Sequence, residues 1–219
     1  MASFARFPAL GVFLLSALAL VSGGCGSSSS TSSGTSPNLI LNGNAEAAAG
    51  GTCDTPVKAP DWTSSGGAGA IQYGSAGIGY PVPGAPDAGK SFFSGGPDNA
   101  TSSLTQTIDV SQYATAIDAG GVTYTLEGYI GGYSDQGDYA TLTATFKDAN
   151  GATLGKGTIG PVTPADRKDM TELLERSSTG AVPDNTSSVL VVLAMTRECG
   201  AYNDGYANDL SLVFTGPGI

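Results

Sequence analysis

The sequence predicts an all-β protein, a β-sandwich of jelly-roll type with Greek-key connections. Three observations carry that expectation. Apolar and polar residues alternate with period two in runs enriched in Thr, Val, Tyr and Phe. Turn chemistry separates these runs, supplied by 33 glycines and by Asn-Gly and Asp-Gly pairs. No repeat and no second composition regime interrupts the chain after residue 37, so one two-sheet body accounts for it.

The elements follow in order. Short strands are expected at 38–41, 69–73, 90–94 and 103–110. Val122, Tyr124, Leu126 and Ile130 alternate with Thr123, Thr125, Glu127 and Tyr129, which marks a half-buried strand. Leu142, Ala144 and Phe146 alternate with Thr141, Thr143 and Thr145 in the same way. Asn150-Gly151 then signals a hairpin, because both residues tolerate positive φ. Residues 164–178 (PADRKDMTELLERSS) allow a short helix through Met170, Leu173 and Leu174. The preferred reading is a turn or single helical turn at 164–170, then a strand through Leu173 and Leu174. Strands at 187–197 and 208–214 turn Val191, Leu193, Met195, Leu210, Leu212 and Phe214 toward the core. Hydrophobic residues make up 40% of the chain, which supports such a core.

The N-terminus reads as an address. Arg6 precedes an apolar stretch over residues 8–21 that is too short to span a bilayer comfortably, and Ser22, Gly23 and Gly24 then lead to Cys25. This resembles the bacterial lipoprotein signal, which implies cleavage after residue 24 and lipidation of Cys25. It departs from the usual pattern in having Ser22 where a leucine is common. An ordinary secretory signal is the alternative. Residues 25–36 then form the lipidated cysteine and a Gly/Ser tether, and 37–219 the folded domain. The resemblance implies export to the cell envelope, with the outer membrane or cell surface the expected location. The membrane is engaged only through the lipid. A lipidated Cys25 leaves Cys53 and Cys199. An oxidising compartment would pair them, closing a loop worth about 4–5 kcal/mol in the chain-entropy model. Two unrelated thiols are the alternative.

Composition excludes several functions. The chain contains no histidine, which removes Ser-His-Asp triads, His-Cys dyads and His-ligated metals. The net charge is −10, and it becomes −11 once cleavage removes Arg6. That balance argues against nucleic acid and anionic lipid surfaces. No acidic pair sits in a motif that marks a glycosidase, and Ser75 lacks the setting of a nucleophile elbow. The expectation is a monomer without catalytic activity.

Three motifs carry a further resemblance. NLILNGNAEAAAG (38–50) with APDWT (59–63), VPDNTSSVLVVLAM (182–195) and YNDGYANDLSLVF (202–214) occur in the order found in bacterial jelly-roll carbohydrate-binding modules. The chain thus resembles the galactose-binding-domain-like superfamily. The resemblance covers both ends of the domain and much of what lies between. It implies Trp62 in the core or over a sheet edge. It also implies a structural Ca2+ held by Glu46 and Asp209, with Asn44, Asn208 and carbonyls near Thr52 as further candidates. A solvated Glu46 and a strand-capping Asp209 are the alternative.

Sugar recognition needs flat aromatic faces and planar hydrogen-bonding groups. Two segments have that mixture: Tyr133, Asp135, Gln136, Asp138 and Tyr139 in one, and Arg197, Tyr202, Asn203, Asp204 and Tyr206 in the other. All of these but Tyr206 are the candidate ligand-binding residues for an extracellular or envelope glycan. Ordinary β-turn composition explains the same residues. A surface structural or adhesion protein with a protein partner remains the alternative, and a glycan hydrolase or lyase a more remote one.

Overall fold

The computed structural model describes residues 32–75 and 88–219. The expected signal peptide, Cys25 and most of the tether lie outside these residues. The end of the tether does not. Ser33–Thr35 forms β1 and pairs antiparallel with Thr215–Pro217, so ordered sheet begins ahead of the Pro37 boundary.

Ten further strands follow: β2 (Thr63–Ser65), β3 (Gly69–Gln72), β4 (Ser91–Pro97), β5 (Thr101–Asp109), β6 (Thr123–Gly132), β7 (Tyr139–Lys147), β8 (Thr153–Ile159), β9 (Glu172–Ala181), β10 (Ser188–Thr196) and β11 (Tyr202–Pro217). They form two antiparallel sheets, a jelly-roll sandwich. The first runs β3-β4-β11-β6-β9, with β1 also on β11, and the second runs β2-β5-β10-β7-β8. A 3-10 turn at Ser111–Tyr113 and helix α1 (Ala114–Asp118) connect β5 to β6, and period-two reading did not anticipate either.

The inward positions behave as the alternation requires. Leu126, Ile130, Leu142, Ala144, Phe146, Val191, Leu193, Met195, Leu212 and Phe214 are all buried between the sheets. Trp62 joins them, edge-on to Phe93 at 5.6 Å, with its indole N–H donating to the Asn42 carbonyl at 3.1 Å. The segment 164–169 is turn and β9 follows it, as preferred from the sequence. In the β7–β8 hairpin only Gly151 takes positive φ, and the Asp148 carboxylate holds the loop by accepting from the Asn150 and Ala152 amides.

Two expectations fail here. Residues 38–41 are not a strand. Leu39 N–H donates to the Leu212 carbonyl at 2.8 Å, while Leu41 exchanges hydrogen bonds with the Gln106 side chain in the second sheet. The segment therefore crosses from one sheet to the other, and Leu41 is left 59% exposed. Among the described residues no disulfide joins Cys53 to Cys199. Cys53 is sunk in an apolar cluster with its Sγ 3.9 Å from Asp54 Oδ1, whereas Cys199 is exposed on a surface turn.

Candidate functional site

A sheet in a sandwich ordinarily buries one face and wets the other. The second sheet does so. β7 sets Ala140, Leu142, Ala144 and Phe146 inward and the half-buried Thr141, Thr143 and Thr145 outward. The first sheet is apolar on both faces. Behind Ala70, Phe93 and Ala207, which face the core, their neighbours Ile71, Phe92 and Tyr206 form a second cluster on the outer face. Leu173 completes its floor, and Tyr73, Tyr129, Tyr133 and Tyr202 pack half-buried around it.

Strand register sets this array. Phe92 on β4 stands opposite Ile71, Tyr129 on β6 stands between Asn208 and Glu175, and Tyr206 on β11 stands between Ser94 and Gly131. Tyr206 meets Phe92 edge-on at 5.2 Å, and Tyr73 lies over Phe92 at 4.6 Å. Two bulges in β11 make it possible. One lies between Asn203 and Tyr206 and the other between Asn208 and Ser211, where Asp209 adopts φ +48°. The extra residue at Asp209 reverses the alternation. Leu210 and Leu212 consequently face the core while Tyr206 and Asn208 face outward.

Of the nine residues expected to bind ligand, the structure brings Tyr133 and Tyr202 to this face. The two segments that carry them do converge, and Asp138 is the reason. Its Oδ1 accepts from the amides of Glu198 (2.7 Å) and Cys199 (2.9 Å), and its Oδ2 from Asp204 (2.9 Å). Asp138 is fully buried and therefore structural. Asn203 is buried as well. Its amide donates to the Met195 carbonyl (3.1 Å) and to Ser102 Oγ (3.3 Å), and it accepts from Gly205 N–H. Arg197 closes its own turn by donating to the Ala201 carbonyl at 2.7 Å. Tyr139 lies on β7 in the other sheet, so it does not join the site. Asp135 is exposed on the loop, and Gln136 offers its backbone carbonyl to Arg167. Asp204 accepts a short hydrogen bond from the Tyr206 hydroxyl.

Sequence reasoning missed Tyr73, Phe92, Tyr129, Leu173, Glu127, Glu175 and Arg167, and left Tyr206 out of the binding set. One signal was available. Phe92 and Phe93 are adjacent, so a strand carrying both must be apolar on two faces.

The face is acidic. Burial, then the charge of Glu175 on the neighbouring strand, pushes the Glu127 carboxyl above its usual range. Burial pushes Tyr73 up to about 12, against the Asn208 amide hydrogen bond, and Asp209 and Glu46 add to the rise. Tyr202 is likewise pushed up by burial while sharing a 2.8 Å hydrogen bond with Ser94 Oγ.

Glu46 and Asp209 thus lie within electrostatic reach of the same phenol. They do not share a cavity. Glu46 lines one of about 570 Å³ with Tyr73 and Lys90, and Asp209 another of about 330 Å³ with Asn38 and Asn44. Glu46 Oε1 already accepts from the Lys90 and Ser91 amides, at 2.6 and 2.7 Å. Among the described residues no group of three or more His, Cys, Asp or Glu side chains is placed to hold a metal ion. A hard cation here would draw on these two carboxylates and on backbone carbonyls.

No family model matches the chain, and no curated protein matches it. Several solved structures are similar. The enzymatically active domain of bacteriophage CBA120 tailspike protein 4 matches at 16% identity and TM-score 0.46, over 81% of this chain and 21% of the tailspike chain. The module TmCBM61, solved with β-1,4-galactotriose, matches at 13% identity and TM-score 0.46, over 81% of this chain and 98% of its own. The CBM22-1 xylan-binding domain of Paenibacillus barcinonensis Xyn10C matches at 17% identity and TM-score 0.41, over 76% and 96%. This chain spans about a fifth of the tailspike domain's length and nearly all of the two modules'. No residue role is carried over from any of them. The jelly-roll sandwich is established by this chain's own strand pairing.

Asp204 gives the site a pH signature. Burial raises its carboxyl to about 6 from the ordinary 3.8, against the Tyr206 hydrogen bond, with Asp138 adding and Arg167 opposing. The native state therefore binds more protons than the unfolded chain between those values. Stability falls as pH rises through that window, and the whole cost is present above about pH 6. The melting temperature should rise when pH is lowered from about 7 to about 5. Asp204→Asn, which still accepts from Tyr206, should remove most of that rise in thermal melts followed by circular dichroism. An undiminished rise in the variant would show that the titration belongs elsewhere.

Proposed function

We propose that the domain is a non-catalytic carbohydrate-binding module whose ligand lies on the outer face of the first sheet. The observation that carries this reading is the aromatic array on that face: Tyr73, Tyr129, Tyr133 and Tyr202, half-buried, packed with Cys53 around the buried Phe92, Tyr206 and Leu173. Rings that present a flat face and keep a polar tip suit the apolar side of a pyranose, and Glu127 and Glu175 beside them offer hydrogen bonds to hydroxyls. The carboxylates at the rim favour a neutral glycan over an acidic one.

Affinity electrophoresis and calorimetry test this with xylohexaose, β-1,4-galactotriose and polygalacturonate as probes. Binding of a neutral probe, with little response to polygalacturonate, is expected. Tyr129→Ala and Tyr133→Ala should each weaken binding at least about five-fold, on the order of 1 kcal/mol. A blank with both neutral probes, or binding indifferent to both substitutions, would sink the reading.

The structural Ca2+ is part of the same proposal, with Glu46 and Asp209 as its carboxylate ligands. Chelation should lower the melting temperature by several degrees, and Asp209→Asn should abolish the difference. Unchanged melting on chelation would remove the ion from the account.

We also propose that the module is exported and anchored at the cell envelope through Cys25, at the outer membrane or cell surface. Metabolic palmitate labelling should mark the wild-type chain and be lost in Cys25→Ala. Labelling that survives the substitution would count against the anchor.

A further inference from the structure

Arg167 is among the largest fully buried side chains in the molecule, with no exposed area. It sits in the turn between β8 and β9, far in sequence from the segments read as binding loops. A buried guanidinium is costly unless its donors are used. Among the described residues its hydrogen bonds go to backbone carbonyls and not to a carboxylate. Nη1 donates to the carbonyls of Ser134 and Met170, the latter at 2.9 Å, and Nη2 donates to the Gln136 carbonyl at 2.7 Å. One cation therefore ties the β6–β7 connection to the turn that bears Arg167 itself. The Ser134 amide closes the same contact by donating to Thr171 Oγ1 at 3.0 Å.

The geometry leaves little latitude. A Cβ on Gly132 would lie 3.1 Å from Nη2 and 2.7 Å from the Asp138 carbonyl, so glycine is required where β6 ends. Ser134 adopts φ +45°, and the loop's own backbone contributes a turn from Gln136 N–H to the Tyr133 carbonyl at 3.1 Å. The loop lacks a buried apolar residue between Gly132 and Asp138. What it does carry is Tyr133, which packs against the outer cluster.

We propose that Arg167 is a positioning residue for ligand binding: it holds the loop so that Tyr133 completes the aromatic face, and it acts on ligand only through Tyr133. The inference rests on the glycan reading of that face. The experiment combines Arg167→Met, Tyr133→Ala, the double variant and the milder Thr171→Val, which keeps the loop testable should Arg167→Met fail to fold. Amide hydrogen exchange over residues 133–137 should rise at least about ten-fold in Arg167→Met, and less in Thr171→Val, with β7 and β10 unchanged. Affinity for xylohexaose or β-1,4-galactotriose should fall in Arg167→Met to the level of Tyr133→Ala, and the double variant should be no weaker than Tyr133→Ala. A merely structural arginine would give losses that add. Additive losses, or unaltered exchange in the loop, would overturn the proposal. A wild-type protein that binds neither probe would overturn the glycan reading instead, and the exchange measurement, which needs no ligand, would still decide whether Arg167 holds the loop.

Discussion

The end of the sandwich that carries the aromatic face is organised around the buried carboxylate of Asp138. An ionised acid out of water needs several donors. Here they are the amides of Glu198, Cys199 and Asp204, all from the connection into β11 and the first residues of that strand. Gathering those amides fixes where β11 begins and where its first bulge falls. Ahead of that bulge Asn203 points inward and bridges to the second sheet, while Tyr206, beyond it, stands on the outer face. Arg167 answers on the other side of the same corner. The anion collects amides from one connection, and the cation collects carbonyls from the other. The two charges do not hydrogen-bond each other, yet Arg167 lies within the field of Asp138. Two loops without apolar cores of their own are thereby ordered by a complementary pair of buried charges.

Much of the fold was legible because it rests on one rule. Where inward residues recur at every second position, as in β6, β7 and β10, the strands and their buried faces follow from the sequence. Trp62 and the turn before β9 followed too. The rule fails where an extra residue is inserted. Leu210, Leu212 and Phe214 point inward, so period two places Tyr206 and Asn208 inward as well, and the bulge at Asp209 reverses both. Nothing in YNDGYANDL announces that reversal.

The candidate site was legible only in part, for a related reason. Sequence composition picks out polar and aromatic residues that are close along the chain. The face instead gathers Phe92, Tyr129, Leu173 and Tyr206 from four strands through their register. Asp138 and Asn203 have the chemistry of sugar ligands, but their hydrogen bonds are spent within the protein, mostly on backbone amides and carbonyls. Tyr139 has the right chemistry one strand too late, since β7 belongs to the opposite sheet. Arg167 gave no signal at all, because a basic residue among acids in a turn reads as solvated until the loop that folds over it is known.

The charges left on the outer face bear on what it can hold. Glu127 and Glu175 stand on neighbouring strands, and the charge of Glu175 makes ionisation of Glu127 less favourable. Tyr129, directly opposite Glu175, is flanked by both. A ligand that donates hydrogen bonds without adding negative charge relieves this repulsion, since O–H donors stabilise the ionised carboxylates. A neutral glycan brings many such donors and an apolar ring face together. An acidic polysaccharide brings the ring face but adds charge of the same sign. Under the proposed reading, the same carboxylates that cost the unliganded domain stability set its preference, because they reward hydroxyls and penalise anions at one surface.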